Sequence, residues 1–246
     1  PLSTRSFGIF VLDIIKEQFA KGDVGTMAIG AGILSNEKIG YRNLIQNDSF
    51  LIAASAKLSL PREIETYNEI KKALAYINNV KYKAEKNSYN HPINWKTLAT
   101  VSDSTIAVVR TNKGNFTIKL FGNTTPGSVA NFIDLANDDF FDNKVYHRVV
   151  SNFVIQGGCP RGDGYGSLDY SIRSELPQLY YVDEGYVGMA SAGLHTEGTQ
   201  WFVTHSPTPH LDGKYTIFGK VTEGMDVVHQ IVEGDKIIDV IISIQR

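Results

Sequence analysis

The sequence lacks most features that would point to covalent cross-links, nucleic-acid binding or membrane insertion. Cys159 is the single cysteine among 246 residues, so no intrachain disulfide can form and the redox compartment stays open. The formal net charge of −2 at pH 7 provides no basic face for nucleic acid. No apolar run approaches the roughly 20 residues of a transmembrane helix. With 42% hydrophobic and 20% charged residues, the chain has the composition of an ordinary globular protein.

The first 80 residues show the apolar spacing of amphipathic helices. Predicted helices cover residues 7–19, 24–34, 49–56 and 62–77. Asp23 is a candidate cap of the second helix, in which three glycines weaken the pattern, and Asp48 or Ser49 is a candidate cap of the third. Paired helices favour a HEAT- or armadillo-like segment. A simple helical bundle or packing extension is equally well supported, because no internal period is visible.

Residues 81–104 are rich in Asn, Lys, Ser and Tyr, and they contain His91-Pro92. This composition is typical of a linker, with one helical turn expected around Trp95 and Leu98. We therefore predict three parts: an α-helical segment over 1–80, a linker over 81–104 and a second domain over 105–246.

After residue 104 the pattern changes to short strands. Asn112-Lys113-Gly114 is a hairpin signal, and Thr125-Pro126 predicts the start of a helix that runs through Ala136. A second short helix is expected over 224–232. Predicted strands cover residues 105–110, 116–121, 145–149, 153–157, 186–190, 200–204, 217–221 and 237–244. The fold class is thus mainly β: a closed eight-stranded antiparallel barrel capped by two helices and preceded by a small all-α domain.

Three stretches of this second domain carry a resemblance to a known family. They are YHRVVSNFVIQGG at 146–158, GMASAG followed by GTQWFV within 188–203, and HLDGKYTIFG at 210–219. In this order they resemble the cyclophilin signatures F-H-R-x-x-x-x-F-x-x-Q-G-G, M-A-N-A-G…G-S-Q-F-F-I and W-L-D-G-x-[HY]-x-x-F-G. Residues 105–246 are therefore similar to a cyclophilin-type peptidyl-prolyl cis/trans isomerase. A helical segment ahead of such a domain resembles an arrangement found in fused bacterial isomerases.

The implied reaction is rotation about an X-Pro amide, whose uncatalysed barrier is about 18–20 kcal/mol. No covalent bond breaks, so the reaction requires no nucleophile, metal or cofactor. It requires an apolar pocket for the proline ring and a cation or donor that favours the twisted amide. A planar, permanently charged guanidinium suits the second task better than an ammonium.

The resemblance assigns the catalytic role to Arg148, with Gln156 steadying the arginine and contacting the substrate backbone. Phe153 belongs to both the catalytic set and the proline pocket. The remaining substrate-binding positions that the resemblance implies are Val154, Ala190, Ser191, Gln200, Phe202, His210, Leu211 and Tyr215. Within this set, the main chain of Ala190 and Ser191 is expected to pair with the substrate as a β-strand would.

Two positions depart from the family pattern. His210 stands where many cyclophilins have Trp, so an indole donor associated with cyclosporin is missing and we expect weak cyclosporin binding. Ser191 replaces Asn, which shortens the side chain but leaves a main-chain contact in place. Neither change affects the step assigned to Arg148.

Simpler interpretations exist for the same residues. Taken alone, Arg148 would more often form a structural salt bridge, and Phe153 and Phe202 would be barrel core. His205, His210 and their neighbours suggest a metal site or a Ser-His-Asp site, but their spacing fits neither. At the level of function, the alternative to an isomerase is a proline-peptide-binding or scaffold module that works through its N-terminal helices.

The expected partners are proline-containing polypeptides and, through the N-terminal helices, a further protein. The chain begins with Pro1 and not with Met, so we expect a processed or shortened form in which an upstream signal peptide or lipid anchor would be invisible. The resemblance to fused bacterial isomerases favours the bacterial cell envelope or periplasm, with the cytoplasm as the alternative.

Overall fold

The computed structural model describes residues 4–85, 87 and 89–244. The chain divides into two compact units, Pro1–Lys86 and Asn87–Arg246. This division falls inside the predicted linker 81–104, and the predicted domain limits themselves stay a prediction. Within the described residues, no helix has both the length and the apolar character that a membrane crossing requires.

The first unit contains the four helices that the apolar spacing predicts. They are α1 Thr4–Lys21, α2 Val24–Leu34, α3 Ser49–Ser55 and α4 Ile64–Ile77, with a 3-10 turn at Tyr41–Asn43. Isolated helices of this length are marginal in water, so a shared apolar core stabilises them. The core includes Leu12, Ile15, Phe19, Met27, Leu34, Leu51 and Ile70. Four packed helices do not establish a repeat, and the HEAT-like interpretation is not confirmed.

The glycines of α2 allow close packing instead of preventing the helix. A Cβ at Gly30 would lie 3.0 Å from Cε2 of Phe19, so the missing side chain lets the two helices approach. Asp23 caps α2 as predicted, because its Oδ1 accepts a 2.9 Å hydrogen bond from the Thr26 N–H. Asp48 occupies the cap position of α3, but its carboxylate accepts from Nδ2 of Asn78 at 2.7 Å.

The second unit holds all eight predicted strands, with β3 shorter than expected. The strands are β1 Thr105–Thr111, β2 Gly114–Leu120, β3 Arg148–Val150, β4 Val154–Gly157, β5 Tyr186–Met189, β6 Trp201–Thr204, β7 Ile217–Glu223 and β8 Ile237–Ile244. The helices are α5 Trp95–Leu98, α6 Pro126–Asn137 and α7 Met225–Gln230, and a 3-10 turn covers Pro209–Leu211. The expected turn of helix around Trp95 and the two capping helices are therefore present.

The strands form one antiparallel sheet in the order β3-β4-β6-β5-β7-β2-β1-β8. The prediction of a closed barrel was wrong, because β3 and β8 end this order as two edges of an open half-barrel. Between them the described backbone makes a single bridge, Val145 to Lys236. The physical reason lies in residues 139–144, which fold as turns with Asp139 and Asn143 at positive φ. A strand long enough to pair with β8 cannot form there.

The sheet wraps around an aromatic core. Phe132 of α6 lies between three aromatic rings, with centroid distances of 5.1 Å to Phe141, 5.8 Å to Trp201 and 5.2 Å to Phe218. All four side chains are almost completely buried. Tilted and edge-to-face ring pairs of this kind add to the stabilisation that burial alone provides. This core fixes α6 against the sheet and leaves the β3–β4–β6 end to carry the site.

The start of α6 differs from its sequence prediction in one respect. Thr125 occupies the cap position and Pro126 the first turn, but the Thr125 side chain makes no capping bond. The carboxylate of Glu175 takes that role, because it accepts from the N–H groups of Gly127 at 3.0 Å and Ser128 at 2.9 Å. An anion at a helix N-terminus is stabilised by the unpaired N–H groups and by the helix dipole.

Candidate active site

The arginine at the head of the first motif lies on the edge strand of the sheet. Arg148 is exposed and pairs directly with Gln156 across β3 and β4. Its Nη1 donates to Oε1 of Gln156 at 3.4 Å, and Nε2 of Gln156 donates to Oε1 of Gln200 at 3.0 Å. Gln200 in turn donates to the carbonyl oxygens of Gly164 at 2.9 Å and Gly166 at 3.1 Å. This chain of side-chain amides fixes the carbonyl that faces the guanidinium.

An apolar cluster, distinct from the main core, lies beside the arginine. Its members come from β4 to β7, from the loops between these strands, and from the residues just before β4 and just after β2. They are Val154, Tyr181, Phe202, Leu211 and Ile217, with Phe121, Phe153, Leu179, Tyr186, Ala190 and Tyr215 packed against them. The structure thus brings together Phe153 and the other apolar side chains among the substrate-binding positions that the resemblance implies. Below we call this group the pocket cluster.

Ring contacts connect the arginine to the pocket cluster. The guanidinium carbon of Arg148 lies 5.5 Å from the centroid of the Phe153 ring, within the range of a cation–π contact. His210 also stacks on Phe153, at 5.2 Å with an interplanar angle of 29°. Phe202 meets Tyr215 edge to face at 5.8 Å. A permanent positive charge therefore lies at the rim of an apolar, aromatic depression.

The main chain beside the depression leads from β5 into a loop. The Ala190 N–H donates to the carbonyl oxygen of Gln200 at 3.0 Å, and both Ala190 and Ser191 are half-buried. The Ala192 N–H donates to Oγ1 of Thr196 at 2.8 Å, which closes the loop on itself. The two residues predicted to pair with a substrate backbone thus border the same depression as Gln200.

Two residues of the site escaped the sequence analysis. Tyr181 is buried and stacks on Phe202 at 5.8 Å, and Gly188 pairs with Phe202 across β5 and β6. A Cβ at Gly188 would collide with the ring of Phe202 and the hydroxyl of Tyr181. No motif marks Tyr181, since it lies in a long loop without periodicity. Gly188 stands in the second motif, where its position in a strand is the available signal of a close approach.

Buried ionisable groups lie near the depression. Burial lowers the pKa of His147, which precedes Arg148, and the pKa of His205, which follows β6. Burial raises the pKa of Glu197, against hydrogen bonds from Ser174 and Thr216 that act in the opposite sense. In the part of the chain that the structure describes, no group of three or more His, Cys, Asp or Glu side chains is arranged to hold a metal ion.

A cavity of about 520 Å³ lies elsewhere in the second unit. Its lining comes from residues 89, 91–93 and 172–177, Thr124 and Gly127, none of which belongs to the pocket cluster. This cavity and the candidate chemistry therefore occupy different places. We assign the site from the chemistry, because the arginine, the amide chain and the aromatic depression meet there.

The structure thus combines an antiparallel half-barrel with an apolar cluster that lies next to an oriented arginine. The comparisons with known proteins identify the class of domain. The family described as "Cyclophilin type peptidyl-prolyl cis-trans isomerase/CLD" matches residues 106–243. The chain belongs to the cyclophilin-type peptidyl-prolyl cis-trans isomerases.

Relatives and solved structures agree with this assignment. A peptidyl-prolyl cis-trans isomerase of Synechococcus elongatus is 41% identical over 138 residues, which are 55% of this chain and 94% of that protein. The isomerase B of Bacillus subtilis is 45% identical over 118 residues, or 48% of this chain and 82% of the relative. A crystal structure of a cyclophilin type isomerase from Cryptosporidium parvum matches with a TM-score of 0.54 and 30% identity, covering 58% of this chain and 99% of the other.

Proposed function

We propose that Arg148 accelerates X-Pro rotation by stabilising the twisted amide while the pocket cluster holds the proline ring. The observation that carries this proposal is the guanidinium at the rim of the depression, hydrogen-bonded to Gln156 and 5.5 Å from the Phe153 ring. The arginine therefore has a partner that orients it, an exposed side chain and a position next to the pocket cluster.

The physical argument concerns the charge distribution of a twisted amide. When the C–N bond rotates, resonance is lost and the nitrogen regains a lone pair that accepts a hydrogen bond. A guanidinium that is already oriented binds this state better than the planar amide, and only such differential binding lowers the barrier. No bond is formed or broken, so the step needs no co-reactant.

The pocket cluster supplies the second requirement, a fixed proline ring. Phe202 and Leu211 are buried and Phe153 is half-buried, so a proline ring seated on them loses water-exposed surface. A solved structure of the Cryptosporidium parvum isomerase obtained in the presence of the dipeptide Ala-Pro has a TM-score of 0.53 to this chain, which supports proline as the bound residue. We propose that Ala190 and Ser191 pair with the residues before the proline and that Gln200 lines the groove.

Substitution of the arginine tests the proposed mechanism. Loss of one oriented donor to a transition state typically reduces the rate by about 10²–10³-fold, so Arg148→Ala is expected to lower kcat/KM by that factor. Arg148→Lys keeps the charge and loses the planar fork, so its kcat/KM should lie between the values of wild type and Arg148→Ala. Two-dimensional NMR exchange on an X-Pro peptide measures both. Equal rates for wild type and Arg148→Ala would contradict the mechanism.

His210 leads to a proposal about inhibition. Its ring covers Phe153 but carries no indole N–H, so we propose that cyclosporin binds weakly. His210→Trp is expected to tighten binding by about tenfold, the value of one added hydrogen bond. Isothermal titration of both proteins measures this difference. A nanomolar Kd for the unmodified chain would refute the proposal.

A second candidate function, a scaffold, rests on helix α1. Phe7, Phe10 and Ile14 share one face of α1 and are 58%, 57% and 42% exposed, which is unusual for large apolar side chains on one stripe. We propose that the first unit binds a protein partner through this face. A pull-down with the full chain and with Phe10→Asp tests it, since a partner retained equally by both proteins argues against the face. The two functions are compatible.

The domain limits and the location of the protein are also proposals. We propose that residues 105–246 carry the isomerase reaction, that residues 1–80 form a separate helical segment, and that the protein acts in the bacterial cell envelope or periplasm. The support is the order of a helical segment followed by an isomerase, which resembles fused bacterial isomerases. Cell fractionation of the natural protein distinguishes this location from the cytoplasm.

A further inference from the structure

A segment upstream of the predicted isomerase domain makes specific contacts with the loop that borders the substrate groove. We call residues 87 and 89–91 the strap and residues 191–198 the groove loop. The groove loop joins Ser191 to the Gln200 region, so it connects two of the proposed substrate-binding positions. The strap lies within the second unit of the structure.

The strap holds the groove loop mainly at His195. Nδ2 of Asn87 donates to the carbonyl oxygen of His195 at 2.7 Å, and the Tyr89 ring meets the His195 ring edge to face at 5.0 Å. His195 has a φ of 65°, in the left-handed region that a residue with a Cβ rarely adopts. The surrounding contacts must hold such a conformation in place.

A second row of contacts joins the strap to the other end of the groove loop. His91 stacks on Tyr170 at 4.0 Å, and the Tyr170 hydroxyl donates to Oδ1 of Asn131 at 2.8 Å. Nδ2 of the buried Asn131 then donates to the carbonyl oxygen of Gly198 at 2.7 Å. The groove loop is therefore connected to the strap directly at His195 and through α6 at Gly198.

From His195 the contacts continue inward to the pocket. The His195 N–H donates to Oγ of Ser174 at 2.7 Å, and that hydroxyl donates to the buried Glu197 carboxylate at 2.7 Å. Glu197 also accepts from Oγ1 of Thr216 at 3.3 Å, and Thr216 follows Tyr215 of the pocket cluster. A displaced strap would thus disturb the groove loop first and the pocket wall second.

We propose that the strap positions the groove loop and thereby sets the affinity of the groove for the residues that precede proline. Asn87 and Tyr89 act as positioning residues, because they touch His195 and not the reacting amide. The inference rests on the proposed pairing of substrate with Ala190 and Ser191. It extends the functional isomerase domain upstream of residue 105.

The test uses the full chain and the variant Tyr89→Ala, whose ring is 47% exposed in the folded protein. We expect KM for the tetrapeptide Ala-Ala-Pro-Phe to rise about three- to tenfold, the value of one aromatic pair, with kcat unchanged. Binding of Ala-Pro, which has one residue before the proline, should change less. Tyr89→Phe should restore wild-type KM, and amide exchange over residues 192–198 should be faster in Tyr89→Ala alone.

Trp95→Ala is the matched control, since Trp95 is an exposed aromatic residue of the same unit outside the strap, the groove loop and the pocket cluster. Unchanged KM in Tyr89→Ala overturns the inference, even if amide exchange is faster. A fall in kcat at constant KM also overturns it. If the wild type shows no turnover, the mechanism proposed for Arg148 fails instead, and the peptide Kd from an NMR titration still decides the role of the strap.

Discussion

The two units of the chain differ in what fixes their side chains. In the helical unit, buried positions are mainly apolar, such as Leu34, Leu51 and Ile70, with Thr66 and Asn68 as buried polar side chains. In the second unit, buried polar side chains are more numerous, and Asn131, Glu197 and others have defined hydrogen-bond partners. Apolar residues of similar volume can replace one another in the first kind of core, whereas the second kind requires particular atoms at particular places.

This difference explains why one unit is recognisable and the other is not. The reaction requires an arginine, an amide and aromatic rings at fixed spacing, so the sequence of the second unit carries a signature. The helical unit depends mainly on an apolar pattern, which many sequences satisfy. Three experiments can break or sharpen this contrast.

Deletion of core side chains should give the largest effects. Trp201→Ala removes a fully buried ring and is expected to lower the free energy of unfolding by about 3–5 kcal/mol. Since Trp201 pairs with Gly157 next to Gln156, isomerase activity should fall with it. Leu51→Ala in the helical unit should cost about 2–5 kcal/mol and leave kcat/KM unchanged below the melting transition. Urea denaturation and NMR exchange measure both, and lost activity in Leu51→Ala would remove the contrast.

Replacement of a glycine by alanine should change the stability in opposite directions in the two units. Gly188→Ala forces a methyl group against Phe202 and is expected to destabilise by about 1–3 kcal/mol and to impair proline binding. Gly32 lies in α2, where a Cβ would meet nothing closer than 3.8 Å, so Gly32→Ala should stabilise by about 0.5–1 kcal/mol. Thermal melts of both variants measure these two changes in stability. A destabilised Gly32→Ala would show that the helical unit is packed as specifically as the site.

The smallest expected effect is a change of stability with pH in the second unit, which contains all six histidines. Burial lowers the pKa of His205 below its ordinary value of 6.5. As the pH falls, this histidine is therefore protonated in the unfolded chain before it is protonated in the folded chain. This contribution to stability is complete above about pH 6.5 and is lost as the pH falls further. Unfolding followed by the fluorescence of Trp95 and Trp201 should show it.

His205→Gln serves as the comparison for that measurement. The variant should lose less stability than wild type between about pH 7.5 and about pH 5.5. Burial raises the pKa of Glu197 and acts in the opposite sense, so the difference between the two proteins isolates the histidine. Identical pH profiles would show that His205 does not contribute.

Much of this architecture could be predicted from the sequence. The alternation of apolar residues and the turn residues predicted all eight strands. The motifs predicted that Arg148, Gln156, Phe153 and Phe202 belong to one site. The edges of the sheet could not be predicted, because whether β3 meets β8 depends on the turns at 139–144 and not on strand propensity. The same holds for Glu175 at the start of α6, since a carboxylate distant in sequence replaced the expected cap.

The strap was missed for a related reason. Its composition is typical of a linker, and its position is fixed by single contacts of Asn87, Tyr89 and Asn90 with residues more than 80 positions away. Such contacts leave no period in the sequence. Tyr181 was missed in the same way, although its ring stacks on the Phe202 ring.

The close approach of Gly188 to Phe202 also limits how this pocket can be redesigned. A side chain larger than hydrogen at 188 requires a smaller residue at 202, and a smaller residue at 202 leaves a void next to position 188. Positions 188 and 202 must therefore be substituted together. A mutant library that varies either position alone should contain few folded proteins, whereas a library that varies both together should recover pockets for ring sizes other than that of proline.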